Sequence, residues 1–159
     1  MVSDLNALMN THASTGSVEW IGVRPTRMKQ VVSVKEVVAI KGVGLQGDHY
    51  KANDGARQVT LIQKEHLDAV ASYLGAKDVD PGLTRRNIVI KGFNLNSLKG
   101  KKFRIGNTVL EYSGECHPCS RMEANLGIGG YNAMRGHGGI TAKVIEGGEI
   151  VVGDSLTPL

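Results

Sequence analysis

At 159 residues, 41% of them hydrophobic, the chain has the length of one domain and can bury a core without staples. Two cysteines exclude a disulfide scaffold, and no stretch approaches a transmembrane span. Lys+Arg 19 against Asp+Glu 15 gives a net charge of +4, a mild positive field that suits anionic ligands but is too weak to designate nucleic acid. Glycine (21 residues) is enriched and aromatics (4%) are scarce, which predicts many tight turns.

Residues 3–12 read as a short helix capped by Ser3 or Asp4, with Leu5, Leu8, Met9 and His12 on one face. Gly16 closes this N-terminal helical extension, 1–16, and residues 17–159 form a single domain. The extension has no basic start and no continuous apolar run, so no signal or transit peptide is expected and the cytoplasm is the default location. Strands are predicted at 18–23, 31–32 and 34–40, followed by a Gly-rich loop running to Tyr50. Another strand spans 59–62, and 64–74 is the clearest helix, with Leu67, Val70, Ala71 and Leu74 on one face and Gly75 as terminator. Asp80-Pro81-Gly82 marks a turn before a short strand at 87–90. Residues 102–105 and 108–112 read as a hairpin across Gly106-Asn107, and 143–145 and 149–152 as a second across Gly147-Gly148. Short, closely spaced strands with a few helices predict a mainly β chain, a barrel with short helical insertions.

The most informative segment is Glu115-Cys116-His117-Pro118-Cys119-Ser120-Arg121-Met122-Glu123. Ser120 and Glu123 have the S-x-x-E spacing of a capping box, so a helix is expected to begin there with Cys119 just before it. Backbone N–H groups and the helix dipole would favour a thiolate at Cys119, and His117 and Arg121 add positive charge. The C-x-x-C spacing admits a redox pair, a zinc site completed by His117 or His137, or one working thiolate at Cys119 with Cys116 as a resolving thiol or a bystander. A redox pair belongs early in a βαβ pattern, and a structural zinc site needs about four ligands. The single thiolate is the preferred reading.

Three other segments carry the groups an anion needs: Gly47-Asp48-His49, Arg85-Arg86-Asn87 and Arg135-Gly136-His137-Gly138-Gly139. Each alone reads as a solvated turn, and together, beside one activated cysteine, they point to a binding site. His12 and His66 receive no role. No Walker loop, H-E-x-x-H or G-x-S-x-G is present.

Taken in order, Gly44-Leu45-Gln46-Gly47-Asp48-His49, Arg57 to Ile62, Arg85-Arg86-Asn87-Ile88-Val89-Ile90, Gly100 to Gly106, Cys116-His117-Pro118-Cys119-Ser120-Arg121-Met122 and Gly148 to Asp154 resemble a MOSC domain, named after the C-terminal domain of molybdenum cofactor sulfurase. The resemblance covers residues 17–157 and is to a small stand-alone bacterial member. It implies a closed β-barrel of the pyruvate-kinase barrel type. It implies that Cys119 is the family's key cysteine, carrying sulfane sulfur or ligating molybdenum of the pterin cofactor, and that Asp48, His49, Arg57, Arg85, Asn87 and Arg121 bind that cofactor. Cys116 is not a required family position. The first functional reading is a molybdenum-cofactor-binding or sulfur-carrier protein. A second is a molybdenum-dependent reductase of N-hydroxylated compounds, which needs a separate electron-donor reductase because no flavin or iron–sulfur motif occurs. A third, of another class, is a non-catalytic anion or nucleic-acid binding barrel, with few aromatics for stacking: Trp20, Phe93, Phe103 and four tyrosines. Pyridoxal phosphate would enter only through a partner cysteine desulfurase, since no lysine stands in a Schiff-base context. No membrane partner is expected.

Overall fold

A computed structural model describes residues 4–27, 29–49 and 54–159. The N-terminal helix α1 (Leu5–Met9) is shorter than the sequence suggests; Asp4 caps it, accepting from the Asn6 N–H at 3.0 Å, while Ser3 lies outside the described residues. Its apolar face is not a core face. Leu5, Leu8 and Met9 are exposed, and only His12 packs, its ring 4.9 Å from that of Phe93.

The chain then runs β1 (Gly16–Val23), β2 (Val32–Val34), β3 (Glu36–Ile40), β4 (Gly44–Leu45), β5 (Val59–Gln63), α2 (Lys64–Tyr73), a 3₁₀ turn (Pro81–Thr84) and β6 (Ile88–Lys91). A second 3₁₀ turn (Leu95–Leu98) leads to β7 (Lys102–Ile105), β8 (Thr108–Glu115), α3 (Arg121–Leu126), α4 (Gly130–Met134), β9 (Ile140–Glu146), β10 (Gly148–Val151) and β11 (Ser155–Pro158). The Gly-rich loop contains the short strand β4, and its last predicted residue, Tyr50, lies outside the described residues. Seven strands close a barrel in the order β11-β7-β8-β9-β5-β6-β1, completed by pairing of β11 with β1. β2 extends this sheet, and β10, β3 and β4 form a second, three-stranded sheet.

The barrel confirms the mainly β expectation, with one correction. Residues 143–152 do not form a hairpin: β10 leaves β9 and pairs with β3, Ile150 opposite Val37. Gly147-Gly148 has the composition of a hairpin turn, but Gly148 is itself a strand residue, opposite Ala39.

Among the described residues only β5 and β6 pair in parallel, joined across α2 and the 3₁₀ turn. Both of their faces are covered, so they read as apolar runs rather than alternating ones. Leu61, Ile88 and Ile90 point into the barrel core beside Phe103 and Leu110. Ile62 and Val89 point outward into a second core built from Leu67, Val70, Met122, Ala133 and Met134. This second core fastens α2, α3 and α4 to the outside of the barrel. The approach is close at Gly138 and Gly139, where a Cβ would come within 2.1 Å of the Cys116 carbonyl and 1.9 Å of the Leu61 carbonyl, and Gly139 has φ 84°. No larger residue fits there without moving backbone. Among the described residues no helix is long and apolar enough to cross a membrane.

The parallel pair also sets the position of three connections. β5 and β6 start at the same end of the barrel, and β1, antiparallel to β6, finishes there. Residues just after Val23, just before Val59 and just before Ile88 therefore meet.

Candidate functional site

Arg24 follows β1, Arg57 precedes β5, and Arg85 and Arg86 precede β6. The chain leaving β8 crosses the same end and presents Cys119 and Arg121 at the start of α3. Together with Arg27, His49, Thr60 and Met122 these residues line a cleft of about 210 Å³. A second cleft of about 240 Å³ shares Arg24, Arg57 and Thr60 and adds Asp48 and Asn87. The pair is in the range of small-molecule sites, roughly 300–1,000 Å³. Six of the chain's eight arginines and none of its lysines line the first cleft. Guanidinium forks suit planar or tetrahedral oxyanions in a way that ammonium groups do not.

The polar residues around the cleft divide into a supporting set and a ligand-facing set. Asp48 is buried and accepts from the Arg24 N–H at 2.8 Å, while the His49 N–H donates to the Arg24 carbonyl at 2.7 Å. The Gly47-Asp48-His49 loop thus holds the backbone of Arg24 in place. Asn87 joins three strands: its Oδ1 accepts from the Thr60 N–H and hydroxyl at 3.0 and 3.1 Å, and its Nδ2 donates to the Gly22 carbonyl at 3.1 Å. Arg86 is buried and donates to the carbonyls of Gly138 (2.7 Å), Thr84 (3.0 Å), Cys116 (3.2 Å) and His117 (3.4 Å). It clamps the cysteine segment to the Gly136–Gly139 turn. Arg57 reaches the buried Cys116 sulfur at 3.7 Å.

Arg24 and His49 line the cleft, and Arg24 Nε and His49 Nδ1 are buried without a hydrogen-bond partner among the described residues. Burial lowers the Arg24 pKa, and the nearby charges of Arg121 and Arg57 lower it further against the opposing pull of Asp48. Burial likewise lowers Arg85, with Arg24 and Arg121 adding to the effect. The arginines remain cations, so the cleft gathers positive charge that favours a bound anion.

Arg85 stands at φ 61°, a left-handed conformation that costs a non-glycine residue about 1 kcal/mol. Arg85→Gly should therefore leave stability within about 1 kcal/mol of the parent while weakening binding of inorganic pyrophosphate about tenfold. Thermal melts and calorimetric titration of the same preparation check both. An equal loss of stability and binding would make Arg85 merely structural.

Cys119 is exposed and faces the cleft. A helix does start beside it, but not as a capping box. Ser120 has helical backbone angles and makes no side-chain cap, and the Cys119 carbonyl instead accepts from the Met122 N–H at 3.0 Å. Glu123 turns away to accept from the N–H groups of Gly129 (2.9 Å) and Tyr131 (3.0 Å), which hold its carboxyl below the usual range. What fixes Cys119 is the neighbouring Met122, fully buried in the second core. His117 does not join the cleft; it lies 3.7 Å from Glu115 on another face.

The Arg135–Gly139 segment does not converge on the cleft either. Gly138 and Gly139 support it from behind, and His137 packs edge-on against His66 at 4.9 Å and near Tyr73 at 5.4 Å. No group of three or more metal-binding side chains is found among the described residues. Arg24 and Arg27 are the cleft residues that stand in no sequence motif. Pro25 beside Arg24 gives them the look of an ordinary turn.

Both His49 and His66 have pKa values lowered from 6.5, first by burial and then by Arg24 and His137 respectively. The unfolded chain therefore takes up these protons first. The contribution is complete above pH 6.5 and is lost as the pH falls through the folded-state values. The melting temperature should drop between pH 7.5 and 5.5, and less steeply in His66→Phe, which keeps the ring contact. Parallel pH profiles for the two proteins would remove His66 as a cause.

The sequence model of the MOSC domain matches residues 41–157. No curated protein matches the chain. Among solved structures, the YuaD protein of Bacillus subtilis superposes with a TM-score of 0.78 at 20% identity, over 90% of this chain and 94% of that one. YiiM of Geobacillus stearothermophilus gives 0.73 at 18% identity, over 91% and 75%. YiiM of Escherichia coli gives 0.68 at 19% identity, over 90% and 69%. These likenesses concern the fold.

Proposed function

The chain belongs to the MOSC domain family, and from that premise we propose that its arginine cleft binds the molybdenum cofactor by the phosphate, with Cys119 as the sulfur-bearing or metal-ligating group. Family membership ties the chain to molybdenum-cofactor-related or sulfur-related function in general. The observation that carries the finer reading is one exposed thiol placed among six arginines.

The donor set fits such a group. Arg24 Nε and His49 Nδ1 are buried and unpartnered among the described residues, as expected of atoms that meet a ligand. Arg24, Arg57, Arg85 and Arg121 would hold the phosphate, with Asp48 and Asn87 keeping their segments in register. A soft thiolate suits a molybdenum already carried by dithiolene sulfurs. When bound, the cofactor supplies a redox-active metal centre.

As a sulfur carrier, Cys119 acts through its thiolate. It attacks the terminal sulfur of a donor persulfide; the new S–S bond to Cys119 forms as the donor's S–S bond breaks, and the donor leaves as a thiolate. The exchange involves no net oxidation. A cysteine desulfurase is the class of partner that supplies such a donor.

The test is the molybdenum and releasable pterin content of the protein purified from cells with an intact cofactor pathway, beside an Arg24→Gln, Arg121→Gln variant. Cofactor on the parent and its loss from the variant are the expected result. Absence of pterin from the parent would overturn the cofactor reading.

A further inference from the structure

Arg85 lines two cavities, the thiol cleft and a second pocket of about 320 Å³ on the far side of the 3₁₀ turn. The two differ in chemistry. The cleft is walled by guanidinium groups, with Met122 as its one apolar side chain. The second pocket offers the amides of Gln30 and Asn125, the apolar side chains of Val31 and Leu83, and one group of each charge in Lys29 and Asp80. Leu83 is 40% exposed, although nothing in the barrel requires an apolar residue there. Asn125 is fixed by donating to the Leu83 carbonyl at 2.9 Å, and Asp80 Oδ1 by accepting from the Gly82 N–H at 2.9 Å. The pocket is therefore built by α3, the 3₁₀ turn and residues 29–31, and is large enough alone for a small ligand, roughly 300 Å³ or more.

A ligand reaching across Arg85 would have one strongly anionic part and one neutral part with an apolar face and a hydrogen-bonding edge. We propose that the site takes a nucleoside diphosphate group, its pyrophosphate across the arginines and its nucleoside in the second pocket. This inference rests on the anion-binding reading of the cleft and extends it. A pyrophosphate matches the surplus of guanidinium groups better than a single phosphate does, because several clustered cations are neutralised at once. In the second pocket, Val31 and Leu83 flank the base, Gln30 and Asn125 meet its edge, and the outer oxygen of Asp80 accepts from ribose hydroxyls. Lys29, Gln30 and Val31 precede residue 41, where the family match begins, and the pocket's other lining residues lie within the matched span.

The experiment is calorimetric titration of the full chain with phosphate, pyrophosphate, ADP, GDP and CDP, beside Leu83→Trp, which fills the second pocket from an exposed position. At least one diphosphate nucleoside should bind tenfold or more tightly than pyrophosphate. Leu83→Trp should bring it down to the pyrophosphate level while leaving pyrophosphate within twofold. Nucleotides that bind no better than pyrophosphate, or that ignore Leu83→Trp, would overturn the second pocket and leave the arginine cleft standing. Failure of pyrophosphate itself to bind would overturn both.

Discussion

Arg86→Met should destabilise the fold by about 3 kcal/mol or more, the largest stability loss expected of any cleft residue. Methionine preserves much of the side-chain volume and removes the charge. What it leaves behind are the carbonyls of Gly138, Thr84, Cys116 and His117, each an acceptor for the guanidinium. An unpaired buried acceptor costs about 1–3 kcal/mol, and part of that sum is recovered because a buried cation no longer has to be desolvated. Burial already lowers the Arg86 pKa, with Arg57 opposing the charge further and Cys116 supporting it. Chemical denaturation with two probes checks the loss. A variant as stable as the parent would show that the Gly138 turn and the cysteine segment hold each other without the clamp. Arg86→Lys should rescue only a fraction, since one ammonium cannot reach carbonyls spread across three segments.

Cys119→Ser should abolish sulfur loading and weaken molybdenum retention about 100-fold or more, with stability within about 0.5 kcal/mol of the parent. The hydroxyl cannot form an S–S bond and is a poor ligand for a soft metal site. Because Cys119 is exposed, little packing is lost. The readouts are cyanide-releasable sulfur after incubation with a persulfide donor, metal content, and a melt. Cys116→Ser is the paired control. Cys116 is buried beside Arg57, so its loss should cost stability and spare sulfur loading. Equal loss of loading in both variants would restore the redox-pair reading of the C-x-x-C.

How much of this was legible in the sequence varied with how local the signal was. α2 is legible because Leu67, Val70 and Leu74 meet one core, and the β7–β8 hairpin because its turn residues lie between its own strands. β10 is legible as a strand but its partner is not, because β3 lies far upstream and no local pattern encodes that pairing. β11 went unnoticed for the same reason: Ser155–Pro158 is short and carries one fully buried side chain, Leu156. At the cleft, Cys119, Arg57, Arg85 and Arg121 stood in recognisable motifs. Arg24 and Arg27 did not, because only the antiparallel run of β1 beside β6 brings them there. The S-x-x-E spacing misled in detail, since Glu123 found stronger partners in the two N–H groups that begin α4.

The closure of the barrel has a consequence for how the protein is made. β11 joins β1 with Leu156 opposite Gly16, so a strand made late completes a sheet begun by the first of the described strands. Loop closure over nearly the whole chain is the costliest contact in entropy and the latest to form. On the ribosome, the Gly16–Ser17 end of β1 must wait without its partner until β11 has emerged, and until then the nascent chain is open to wrong pairing or capture by a chaperone.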